Sequence, residues 1–129
     1  MNSPAPEDDV AALSTLPKRR DFLAAARARK SAQPGLILQA RARAGDEHSE
    51  TEIRFGLTCS RKVGNAVVRN RARRRLRAAA MAVLPGHGKP GWDYVLIGRR
   101  EATVDRPFPD LLADVTRALT HVHRTGEER

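Results

Sequence analysis

Residues 55–77, FGLTCSRKVGNAVVRNRARRRLR, limit what this chain can fold into more than any other stretch. Between positions 61 and 77 stand eight basic residues (Arg61, Lys62, Arg69, Arg71, Arg73, Arg74, Arg75 and Arg77) and no acidic one. Apolar residues recur among them at helical spacing. A merely solvated helix mixes signs, so that Glu or Asp can pair with Arg one turn away. Here Arg71 stands one turn from Arg74 and Arg75, and Arg73 from Arg77. Like charges so placed oppose the helix unless a polyanion neutralises them. The segment reads as an amphipathic helix with a dry face and a phosphate-binding face.

At about 100° per residue, Val68, Ala72, Leu76, Ala79 and Val83 fall on one side as the packing stripe. Asn70, Arg73, Arg74 and Arg77 fall on the far side, and Arg71 and Arg75 extend that patch around the helix. Arg69 sits nearer the apolar edge, where its stem can lie along the core while its head reaches water. Asn70 adds a short hydrogen-bonding group that suits a phosphate, a 2′-OH or a base edge. Gly64-Asn65 is a helix start, with Asn65 or a neighbour as the cap, and Pro85-Gly86 is the expected stop near position 84. Arg61 and Lys62 precede the helix, where free N–H groups and the positive dipole end favour an anion.

The rest of the chain divides around this helix. Residues 1–15 hold Pro4, Pro6 and three acids with little apolar pattern, and read as a flexible tail. A short helix is expected over 18–28, carrying Phe22, and Pro34-Gly35 ends that region. Residues 36–44 alternate, with Leu36, Leu38 and Ala40 facing one way and Ile37, Gln39, Arg41 and Arg43 the other. A polar hairpin loop follows over 45–51. Ile53, Phe55, Leu57 and Cys59 alternate with Arg54, Gly56, Thr58 and Ser60 in a second strand. Residues 94–97 form a short apolar run suited to a central strand. Pro107 and Pro109 open a last helix, about 110–122, with Leu111, Leu112, Val115, Leu119 and Val122 as its stripe. The order α-β-β-α-β-α predicts an α+β fold, a mixed β-sheet with packed helices. The single domain should span 16–123, and 124–129 should be a tail.

Composition narrows the partner. The formal net charge is +9 and the pI about 11.1, which points to nucleic acid. Lys occurs only at positions 18, 30, 62 and 89 among 24 basic residues, and the remainder are Arg, whose planar fork suits phosphate. One cysteine, Cys59, excludes an internal disulfide or a cysteine zinc cluster and reads as a small buried hydrophobe. The longest apolar run, 78–84, is too short to cross a bilayer, and the acidic Pro-rich N-terminus is unlike a secretory leader. A cytoplasmic protein is expected. The acids are scattered, which argues against a magnesium site built from protein carboxylates. His121 and His123 are two apart, so one helix cannot aim both at one metal, and both read as surface residues.

The run from Ser60 to Arg71, SRKVGNAVVRNR, followed by Arg74 and Arg77, resembles the signature helix of the protein subunit of bacterial ribonuclease P. Residues 16–22 are similar to that family's opening L-x-K-x-x-D-F segment, and residues 93–99 to its D-Y-V-x-I-x-R strand. The resemblance covers about 16–122. It implies the ribosomal protein S5 domain 2-like fold with a left-handed βαβ crossover. It also implies a catalytic RNA as partner, the 5′ leader of precursor tRNA as a second partner, and Mg2+ held mainly by the RNA and substrate. Chemistry would be carried by the RNA, with no catalytic residue in the protein. Arg61, Lys62, Asn65, Arg69, Asn70, Arg71, Arg73, Arg74 and Arg77 would then meet the RNA subunit. Phe22, Gln39, Arg41, Thr58 and Ser60 are the candidates for the leader, in a cleft between the first helix and the sheet.

The chain departs from that pattern at Ala26, where the family commonly has a second aromatic one turn after Phe22, and near Gln39 on the first strand, where the family tends to have another. Leader binding here should lean on Arg41, Arg43 and hydrogen bonds, with a steep salt dependence. The main alternative is a non-catalytic RNA-binding module such as a ribosomal protein. DNA binding lacks a second helix placed for a helix-turn-helix, and a membrane-surface helix lacks bulky aromatic anchors.

Overall fold

The computed structural model describes residues 13–44 and 51–127. Nine elements follow one another: β1 (Leu13–Thr15), α1 (Arg19–Ala26), β2 (Arg29–Ala32), β3 (Leu36–Ala42), β4 (Ile53–Thr58), α2 (Ala66–His87), β5 (Trp92–Gly98), α3 (Ala102–Asp105) and α4 (Phe108–Glu127). The five strands form one mixed sheet in the order β1-β4-β5-β3-β2. β1 and β5 run parallel to β4, while β3 is antiparallel to both β5 and β2. The apolar run at 94–97 is central, as expected, because both of its faces are covered.

The predicted α+β class and the order of the large elements are present, with three additions. Leu13–Thr15, assigned to the tail, is an edge strand: Leu13 pairs with Ile53 and Thr15 with Phe55. Arg29–Ala32, which lies between the expected first helix and the Pro34-Gly35 break and was given no element, is the opposite edge strand. α3 is a single turn before the last helix. Residues 1–12, most of the expected tail, and 45–50, most of the expected hairpin loop, lie outside the described residues. At the other end α4 continues to Glu127, into the segment expected to be a tail.

α2 runs to His87 and carries Pro85 in its last turn, past the stop expected at position 84. A proline there forfeits one N–H bond and crowds the preceding turn. Leu84 is fully buried and its carbonyl accepts the Gly88 N–H at 2.8 Å, so the turn closes around the defect.

The core lies on the sheet face covered by α2 and α4. Leu36, Leu38, Ile53, Phe55, Tyr94 and Leu96 meet Leu76, Leu84, Leu111, Val115 and Leu119 there. Cys59 joins this core, and burial pushes its thiol pKa up. His123, expected at the surface, is buried: its Nε2 lies 2.7 Å from the Tyr94 hydroxyl and its ring meets Trp92 edge-on at 4.5 Å. At the Pro34-Gly35 turn the buried Asp114 carboxylate accepts the Gly35 N–H at 2.9 Å. A Cβ on Gly35 would lie 2.6 Å from that carboxylate oxygen, so only glycine allows this approach.

Candidate nucleic-acid interface

The interface begins at a turn. The Ser60 carbonyl accepts the Val63 N–H at 3.0 Å, and the Ser60 hydroxyl accepts the Lys62 N–H at 3.3 Å. Gly64 follows at φ +153, where a Cβ would also lie 2.8 Å from Val68. Asn65 then caps α2, its Oδ1 accepting the Val68 N–H at 3.0 Å.

Ala72, Leu76, Ala79, Ala80, Val83 and Leu84 bury the dry face of α2, with Val68 half-buried at its start. Arg61, Lys62, Asn65, Asn70, Arg71, Arg73, Arg74 and Arg77 are all exposed. Asn70 Oδ1 accepts a bond from Arg73 Nη1 at 3.3 Å, which orients that guanidinium along the helix. Arg69 is half-buried, as its place at the apolar edge requires. Arg75 does not extend the patch. Its guanidinium donates to the carbonyls of Thr103 (2.8 Å) and Arg106 and lies 5.8 Å from the Phe108 ring centroid, so it ties α2 to α3 and α4.

The other sheet face carries α1. Register aligns Arg54, Asp93 and Arg41 in one row, Gly56, Val95 and Gln39 in the next, and Thr58, Ile97 and Ile37 in a third. Phe22 crosses the middle row at Gly56, where a Cβ would lie 2.5 Å from the ring. Phe22, Gln39, Arg41 and Thr58 therefore share one face, as expected. Ser60 lies just beyond it, beside a cavity of about 550 Å³ lined by Ile37, Lys62, Ile97, Arg99 and Arg100 among others. Arg99 and Arg100 were not among the candidates. Two consecutive arginines closing a central strand were the sequence signal for them.

The first row is a buried charge cluster. Asp93 accepts from Arg54 Nε (2.8 Å), Arg54 Nη2 (2.7 Å) and Arg43 Nη1 (2.7 Å), and lies 3.6 Å from Arg41. Arg54 also reaches Asp21 at 3.3 Å, and Asp21 accepts the Lys18 N–H at 3.2 Å at the start of α1. Side-chain exposure is 0% for Asp93, 1% for Arg43, 3% for Arg54 and 22% for Arg41. Burial alone would push the Asp93 carboxyl up, but hydrogen bonds and charge from Arg54 and Arg43 outweigh it and hold the pKa below the usual range. The hydrogen bonds that Arg54 donates to Asp93 push the Arg54 pKa up. Arg43 also donates to the carbonyls of Trp92 and Glu52 at 3.0 and 2.6 Å. Arg43 is therefore structural rather than a leader contact, and Arg41 is partly engaged by Asp93.

These features define a class: a small α+β domain with an exposed arginine helix on one side and a helix-roofed sheet face on the other. The family model described as Ribonuclease P matches residues 11–123, and the chain belongs to that family. The ribonuclease P protein component of Ruegeria pomeroyi is 58% identical over 111 residues, covering 86% of this chain and 87% of that protein. That of Paramagnetospirillum magneticum is 53% identical over 114 residues, covering 88% and 85%. Among solved structures, the RNase P protein from Thermotoga maritima shares the fold with a TM-score of 0.65 at 23% identity, covering 85% of this chain and 96% of that one. The Staphylococcus aureus RNase P protein does so with a TM-score of 0.64 at 23% identity, covering 82% and 92%.

Proposed function

We propose that this chain is the protein subunit of a ribonuclease P, acting in the cytoplasm on the 5′ ends of precursor tRNA. It binds the catalytic RNA through Arg61, Lys62, Asn65, Arg69, Asn70, Arg71, Arg73, Arg74 and Arg77. It holds the 5′ leader on the α1 side of the sheet, through Phe22, Gln39, Thr58 and Ser60, with Arg41 at the margin. The observation that carries this reading is the exposed, acid-free arginine face of α2 in a chain of this family.

In this reading the RNA carries the chemistry. The buried carboxylates Asp21, Asp93 and Asp114 are each engaged by arginine, so they do not fit a magnesium site. Mg2+ belongs to the RNA and the substrate phosphates. The protein's work is electrostatic: its guanidinium groups offset repulsion between two polyanions, so less magnesium is needed to bring them together.

The test is 5′-end cleavage of a precursor tRNA by the partner RNA at low magnesium, with and without the protein, and with protein alone. Cleavage that needs both parts is expected. Tight RNA binding without stimulated cleavage would move the chain to the generic RNA-binding class. Cleavage by the protein alone would overturn the assignment of the chemistry to RNA.

A further inference from the structure

A groove of about 540 Å³ opens between the edge strand β2 and α4, lined by Lys30, Gln33, Arg117, Thr120, His121 and Arg124 among others. It lies apart from both surfaces described above. α2 packs over β4 and β5 whereas α4 packs over β3 and β2, and neither α1 nor α2 contributes a lining residue. Arg117, His121 and Arg124 recur at i, i+4 and i+7, which sets them in line on the outer face of α4. All three are exposed, and so is Lys30 across the groove. Among the described residues no acid lines it. A lysine on an edge strand serves by itself to keep other strands away, but that need does not call for two arginines facing it.

The donors are held in place. Arg117 Nε donates to Gln33 Oε1 at 3.3 Å, Gln33 Nε2 donates to the Ser31 hydroxyl at 3.1 Å, and Arg117 Nη2 donates to the buried Asp114 carboxylate. These bonds orient the Arg117 guanidinium and leave its Nη1 as a donor to spare among the described residues. β2 adds backbone donors. The Gln33 N–H donates to the Leu36 carbonyl at 2.8 Å, and bonded pairs alternate along an antiparallel ladder. Ser31 and Arg29 therefore bond to β3, and the N–H groups of Lys30 and Ala32 point to the open edge.

Cations and N–H donors with no facing acid match a phosphate. No Phe, Tyr or Trp lines the groove, so bases have no ring to stack on. An added peptide strand fits less well, because it must also pair the outward carbonyls, and the four-residue β2 is short for a ladder. We propose that this groove takes the backbone phosphates of an RNA segment other than the one lying on α2, drawn from the RNA subunit or from precursor tRNA. The proposal rests on the RNA-binding reading. It gives the domain a second, sequence-independent grip, so that it bridges two RNA segments rather than coating one.

The test replaces Lys30 and Arg124 together with Gln, two exposed side chains outside the core. Binding of the RNA subunit, and of precursor tRNA by the reconstituted holoenzyme, is measured against salt, with hydroxyl-radical footprints of each RNA. The slope of log K against log salt should fall by about 1.4–1.8 for at least one of the two RNAs, a loss of roughly 10- to 30-fold in affinity at about 0.15 M salt. The protection lost should lie in a segment that Arg71→Gln with Arg74→Gln leaves protected. Which RNA changes identifies the source, and either supports the site. A folded variant with both slopes unchanged would overturn the proposal. So would loss of the same segment that the α2 variant loses. Inorganic phosphate that moves the Lys30 and Ala32 amide NMR signals while both slopes stand would show a small-anion site and overturn the RNA assignment. The wider RNA-binding reading fails separately, if Arg71→Gln with Arg74→Gln leaves RNA-subunit binding and its salt slope untouched.

Discussion

Asp93→Asn tests the charge cluster that fastens α1 to the sheet. The substitution keeps the side-chain shape and removes the charge on which Arg43 and Arg54 converge. Both arginines are almost wholly enclosed, so neither can turn to water. Arg54 keeps only Asp21 at 3.3 Å. Breaking a buried pair from one side costs about 3–5 kcal/mol, and for a domain of this size that corresponds to a fall in Tm of roughly 10–20 °C. Arg41→Ala is the internal control. Arg41 meets the same carboxylate at 3.6 Å and is more exposed, so its loss should cost about 1 kcal/mol or less.

The pH dependence has a definite sign. The folded Asp93 pKa is depressed, so its stabilisation is fully present above the unfolded value of about 3.9 and is lost as pH falls toward the folded one. The gap between wild type and Asp93→Asn should be flat from neutral pH to about pH 5 and narrow below about pH 4. Urea unfolding at several pH values reads both quantities. A penalty under 1 kcal/mol, or one equal to that of Arg41→Ala, would refute the claim that enclosure makes this cluster matter.

Replacing Arg71 and Arg74 with Gln should lower the slope of log K against log salt for RNA-subunit binding by about 1.4–1.8, measured by titration at several ionic strengths. Arg75→Gln should leave that slope unchanged and cost about 1.5–3 kcal/mol of stability, since it removes charged bonds to two carbonyls. Asn65→Ala should lose about 1 kcal/mol in urea unfolding through the missing α2 cap. Gly56→Ala should cost about 1–3 kcal/mol and displace Phe22, visible as a changed ring environment in NMR.

The α2 helix was legible because its period is local. Residues 68, 72, 76, 79 and 83 name the dry face without reference to any other part of the chain, and burial follows that pattern. The alternation of β3 was legible for the same reason: positions 36, 38 and 40 are buried while 37, 39 and 41 are half-buried. β1 and β2 were not legible. Leu-Ser-Thr and Arg-Lys-Ser-Ala carry no pattern that demands a strand, and they become strands because β4 and β3 offer them hydrogen bonds.

Arginine roles divide along the same line. The sequence by itself determined that α2 would be basic, amphipathic and about twenty residues long, because charge and period are properties of the chain. Only the tertiary structure decided that Arg75 would hold two carbonyls while Arg71 and Arg74 stay exposed, and that Arg43 and Arg54 would be spent on Asp93. It alone brought Lys30 to the same groove as Arg117 and Arg124. The residue type sets what a guanidinium can do, but its neighbours, supplied from distant positions by strand pairing and helix packing, decide whether it meets a carboxylate or water.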